Sequence, residues 1–114
     1  MKYGLSQVTV ERIRAVLSHY PEVENAVLYG SRAKGTHRPG SDIDLTLCGP
    51  GVNHAMLTRV GSELDDLLLP HTMDISLMSE LTHPALLDHI QRVGVVLYER
   101  SEAEPAANSA RYPG

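Results

Sequence analysis

Two stretches, "SDIDLTLC" (residues 41–48) and "HTMDISLM" (residues 71–78), alternate apolar and polar residues and constrain the fold more than any other feature. In the first, Ile43, Leu45 and Leu47 face one way and Asp42, Asp44 and Thr46 the other. In the second, Met73, Ile75 and Leu77 oppose Asp74 and Ser76. A period of two places successive side chains on opposite faces of a strand, so each stretch reads as a half-buried strand with aspartate on its polar face. "ENAVLYG" (24–30) is a short β-rich run closed by glycine, and "VVLY" (95–98) is a last short strand. Between them the period changes. Val10, Ile13, Val16, Leu17 and Tyr20 have helical spacing, with Ser6 or Thr9 as cap and Pro21 as stop. Asn53 can cap a second helix through Leu57, Val60, Leu64 and Leu67, ended by Pro70. Thr82, with Pro84 in the first turn, opens a third through Leu86, Leu87, Ile90 and Val93, ended by Gly94. "SRAKG" has room for a single helical turn. Alternating strands and helices imply an α/β (α+β) domain, a small mixed sheet with helices on one face. If those helices cover the apolar face, Asp42, Asp44 and Asp74 converge on the open one.

A chain of 114 residues is enough for one domain that buries ~65% of its unfolded surface. That domain is expected over residues 1–100. Residues 101–114 continue a polar, aperiodic, alanine- and proline-containing segment expected to be a disordered tail. The single cysteine, Cys48, has no internal disulfide partner. The N-terminus lacks an apolar signal segment, and no apolar run approaches ~18 residues. A cytoplasmic protein, neither secreted nor membrane-inserted, is the expectation. The net charge of −4 argues against a nucleic-acid coat protein, and no direct nucleic-acid partner is expected. Arg32, Lys34 and Arg38, with His37 beside them, nevertheless crowd one loop. An acidic chain with one basic loop suits a small phosphorylated ligand better than a long polyanion.

That loop lies within "YGSRAKGTHRPGSDIDL" (29–45). Two carboxylates at i and i+2 on a strand point the same way, with Cα atoms roughly 6.5 Å apart. Their oxygens can share a Mg²⁺ ion, or two ions ~4 Å apart, with a third carboxylate completing the site. The plainer alternative is solvated strand surface. At Gly30-Ser31, a strand ending in glycine lets backbone approach a phosphate that the serine hydroxyl can hold. Here the plainer alternative is a strand-to-helix turn with Ser31 as a cap. The GxxxxGK[ST] pattern of a P-loop is missing. Gly-Ser, then Asp-x-Asp, then an aspartate on a later strand is a compound pattern, and its parts all fall in matching structural context.

With those motifs, residues 8–98 resemble the polymerase-β-type nucleotidyltransferase superfamily, and in particular its minimal, single-domain MNT members. The resemblance implies that Gly30 and Ser31 bind the nucleotide's β- and γ-phosphates, with Arg32 and Lys34 assisting by charge. It implies that Asp42, Asp44 and Asp74 ligate metal, two Mg²⁺ ions with ATP as substrate, and that Asp74 is a candidate base. It further implies an antitoxin that transfers AMP to a tyrosine of a helical HEPN ribonuclease partner in a hetero-oligomer. Two other readings stay open: a module that neutralises its partner by stoichiometric contact, and a small-molecule nucleotidyltransferase. HEPN ribonucleases themselves carry Arg-x4–6-His on a helix. Arg14 and His19 fit that spacing, as do Arg32 and His37, but strands do not belong to an all-helical toxin. His54, His71, His83 and His89 show no metal-ligand spacing and read as surface or helix-terminus residues.

Overall fold

A computed structural model of the chain describes residues 3–100. The expectation of a disordered tail over 101–114 lies outside the described residues. The elements follow the order read from the sequence: α1 (Gln7–Leu17), β1 (Asn25–Tyr29), α2 (Gly30–Lys34), β2 (Ile43–Cys48), α3 (His54–Asp66), β3 (Met73–Leu77), α4 (Pro84–Val93) and β4 (Val95–Glu99). A single 3-10 turn, Met78–Glu80, follows β3.

Local chemistry sets the helix starts. Ser6 caps α1 by accepting the Thr9 N–H at 3.1 Å, so Thr9 is not the cap but a buried residue of the first turn. Asn53 Oδ1 accepts the Met56 N–H at 2.9 Å and starts α3. Each cap satisfies an amide that the helix itself leaves unpaired. Pro84 starts α4 without a side-chain cap, because its ring presets the helical φ and it has no N–H to satisfy.

The four strands form one mixed sheet in the order β3-β2-β1-β4. β1 runs antiparallel to β2 and to β4, while β2 and β3 are parallel. Parallel neighbours need a crossover between them, and α3 provides it. Ile13, Val16 and Leu17 of α1 and Met56, Val60 and Leu64 of α3 pack with Ala26, Leu28, Ile43, Leu45, Leu47 and Leu97 of the sheet. This layer is the core, and its apolar alternation is what the strand sequences carry. The second face is partly covered as well. α4 reaches it at β1, where the His89 ring meets Tyr29 and Gly94 backs onto Val27. No helix among the described residues is long and apolar enough to cross a membrane.

Candidate active site

Asp44 and Asp74 are each the second residue of their strand, and the parallel register of β2 and β3 pairs them directly. On the other flank of β2, Tyr29 is the antiparallel partner of Asp44. Directly opposed residues share a face, so Tyr29, Asp44 and Asp74 form one row across three strands. Asp42 stands exposed one residue before β2. Gly30 follows Tyr29 and opens α2, so the glycine-serine turn meets the row at the end of β1. Its φ is +78°, and a Cβ there would collide with Asp44 Oδ2. The turn and the carboxylate therefore stand in close contact.

Burial pushes the Asp44 carboxyl above its usual pKa, and the charges of Asp74 and then Asp42 push it further. Asp42 and Asp74 thus both act on Asp44. Carboxylate oxygens are the donor chemistry of a hard divalent cation such as Mg²⁺. Among the described residues no three His, Cys, Asp or Glu side chains stand together as a preformed metal cluster. Like-charge repulsion opposes such closure.

A raised carboxyl pKa means that the folded chain binds the Asp44 proton more tightly than the unfolded chain does. Stability is lost as pH rises through the ordinary value of 3.8 and the higher folded one. Asp44→Asn should therefore raise the melting temperature of the cation-free chain at pH 7 by about 2–4 °C. Added Mg²⁺ should stabilise the wild type more than the variant. A wild-type melting curve indifferent to Mg²⁺ would remove the cation assignment.

Arg32 is placed differently from the expectation that it assists a phosphate. Its side chain is 2% exposed. Nη1 donates to Tyr3 O at 2.9 Å and to Gly4 O at 3.3 Å, and Nη2 donates to Ser41 O at 2.9 Å. A guanidinium spent on backbone carbonyls ties the N-terminal segment to the loop that leads to Asp42, and is not free for a ligand. Lys34 is exposed at the end of α2, three residues from Ser31 and so on the same side of that turn.

Arg32 Nη2 also donates to His71 Nδ1 at 3.2 Å. Burial and then the Arg32 charge hold the His71 pKa below its ordinary value of 6.5. The unfolded chain takes up that proton at higher pH than the folded one. The contribution to stability is whole above the unfolded pKa and is lost as pH falls below it. Urea midpoints should decline between about pH 7 and pH 5, and His71→Gln, which keeps an acceptor without titrating, should flatten part of that decline. An identical pH dependence in the variant would remove His71 as its source.

His89, expected from the sequence to be a surface or helix-terminus residue, lies against the Gly30-Ser31 turn. Its Nε2 accepts the Gly30 N–H at 2.9 Å, and its ring lies edge-on to Tyr29 at 6.4 Å and 79°. A signal was present, because His89 lies three residues after Leu86 and one before Ile90, beside the inward stripe of α4. Arg14 and His19 form no pair. Arg14 Nε donates to Leu97 O at 2.7 Å, and His19 lies 2.9 Å from Glu63. Two open clefts, of about 620 and 610 Å³, lie between α1 and β4 and involve none of the aspartates.

The family profile described as "Polymerase beta, Nucleotidyltransferase" matches residues 11–103, and the chain belongs to that family of nucleotidyltransferases. Among solved structures, the fold is similar to a toxin–antitoxin complex with AMP-PNP, with a TM-score of 0.64 and 16% identity over 90% of this chain and 80% of that one. It is also similar to a tri-AMPylated Shewanella oneidensis HEPN toxin in complex with MNT antitoxin, with a TM-score of 0.62 and 14% identity over 90% and 79%. A third, described as a minimal nucleotidyltransferase, gives 0.62 and 24% identity over 83% of this chain and 95% of its own. No curated protein matches the chain in sequence.

Proposed function

We propose that this nucleotidyltransferase transfers AMP from ATP to a tyrosine hydroxyl of a helical HEPN-type partner, as the antitoxin of a toxin–antitoxin pair. The observation that carries the reading is the in-register Asp44–Asp74 pair, whose Asp44 carboxylate abuts Gly30 of the Gly30-Ser31 turn. Similarity of fold to complexes described with AMP-PNP and with a tri-AMPylated toxin supports the choice of nucleotide and partner.

The residues divide the work by position. The Ser31 hydroxyl donates to the distal phosphates, and exposed Lys34 adds charge beside it. Asp42, Asp44 and Asp74 would hold Mg²⁺, which when bound supplies charge neutralisation at the phosphates. Asp74 is exposed on β3, an edge strand of the sheet, where a docked partner can present its phenol. The phenolic oxygen bonds to the α-phosphorus, the bond from that phosphorus to its bridging oxygen breaks, and pyrophosphate leaves. The phenolic proton passes to the Asp74 carboxylate. Holding the two reactants in line accounts for a large share of rate in such reactions, and here the partner must supply half of that alignment.

Mass spectrometry of the partner after incubation with this chain, ATP and Mg²⁺ should show added AMP units. A partner silenced without modification would leave the stoichiometric binding module standing instead. Ser31→Ala should weaken ATP about fivefold, the worth of one hydrogen bond of about 1 kcal/mol, and leave AMP unchanged. Equal losses for the two nucleotides in titration calorimetry would make Ser31 a structural residue only.

A further inference from the structure

We propose that His89 is a positioning residue of the nucleotide site, acting through the Gly30 peptide; the proposal rests on the nucleotidyl-transfer reading above. The Gly30 N–H is the amide that a strand-to-helix glycine would offer to a phosphate, and here it is donated to His89 Nε2 at 2.9 Å. An N–H serves one strong acceptor at a time, so the phosphate contact of this turn falls to Ser31.

The Gly30 peptide is held from two sides. Asp44 Oδ2 occupies the place where a Cβ would be, and the His89 ring fixes the amide. The ring itself is fixed by its edge-on contact with Tyr29, the cross-strand partner of Asp44. One residue further along α4, Ile90 is 6% exposed and anchors the helix. α2 has no side-chain cap of its own, and the Gly30 N–H, one of the first-turn amides that a helix leaves unpaired, takes His89 as its acceptor. A continuous path of contacts therefore runs from α4 through His89 to Gly30 and Asp44. It sets the separation between the Ser31 hydroxyl, which takes the distal phosphates, and the carboxylates that act at the α-phosphate. α4, otherwise a packing helix, defines the register of the triphosphate on the site.

The test uses the full chain with ATP and AMP as probes, and hydrogen exchange of the Gly30 amide followed by NMR. In His89→Leu, which fills the ring's place without an acceptor, Gly30 exchange should rise at least tenfold. ATP affinity should fall at least fivefold while AMP stays within twofold. His89→Gln, whose amide oxygen can reach the Gly30 N–H, should restore both readouts. If His89→Leu does not fold, His89→Asn, polar but too short to reach Gly30, takes its place in the comparison. Wild-type ATP affinity in the Leu or Asn variant overturns the proposal, as do equal losses in the Gln and Leu variants, which would mark packing alone. A wild type that binds ATP no more tightly than AMP overturns the nucleotide reading itself, an outcome distinct from failure at His89.

Discussion

Asp74→Asn is expected to lower the rate of AMP transfer to the partner by about 10²–10⁴-fold, the range contributed by a positioned general base. The substitution keeps the size and polarity of the side chain and removes its ability to take a proton. Asp74 is exposed on an edge strand, so the fold should be kept, and relief of its repulsion of Asp44 should raise the melting temperature by no more than Asp44→Asn does. Docking covers a much wider surface than one carboxylate, so affinity for the partner should change less than about threefold, in line with the small worth of a rim charge. The informative measurement is the pairing of two numbers, incorporation of AMP per unit time and partner affinity. Loss of both together would place Asp74 in the interface and not in the chemistry. Retention of full transfer would move the proton acceptor elsewhere on the row.

Gly30→Ala against Gly35→Ala should give the next largest effect. Both glycines lie in the left-handed region, at φ +78° and +80°, but a Cβ on Gly35 meets nothing within 4 Å whereas one on Gly30 meets Asp44 Oδ2. A non-glycine residue in that region costs about 1–2 kcal/mol, so Gly35→Ala should lose about that much and keep its affinity for ATP. Gly30→Ala should lose the same amount and, in addition, drive the Asp44 carboxylate out of the row. The total should be about 2–4 kcal/mol, within the range of strain and overpacking at a constrained site. ATP affinity with Mg²⁺ should drop at least tenfold in Gly30→Ala alone. Equal behaviour of the two variants in urea melts and ATP titrations would mean that contact between the turn and Asp44 has no bearing on the site.

The strands and their faces were legible because alternation records which side of a strand meets the core. The helix starts were legible to within a cap: Ser6 and Asn53 act as capping chemistry requires, while the choice between Ser6 and Thr9 needed the backbone. The Gly-Ser and Asp-x-Asp motifs are local, so their proximity along the chain brings them together in space. Arg32 was misjudged for a physical reason. Sequence shows a cation in a glycine-rich loop but not the carbonyls of Tyr3, Gly4 and Ser41 that turn inward to receive it. A charge reads as free until its partners are seen.

The sequence by itself determined the order of elements and the apolar face, and it singled out the three aspartates and the serine as candidates for phosphate and metal chemistry. It could do so because period, capping and short motifs depend on residues within a few positions of each other. Only the tertiary structure decided that β2 and β3 run parallel with Asp44 beside Asp74, that Gly30 abuts Asp44, and that His89 takes the Gly30 amide. The Asp44–Asp74 pair joins residues 30 positions apart and the His89–Gly30 bond joins residues 59 apart. Contacts at that range are fixed by how α3 crosses over and how α4 closes on β1, and no local pattern encodes them.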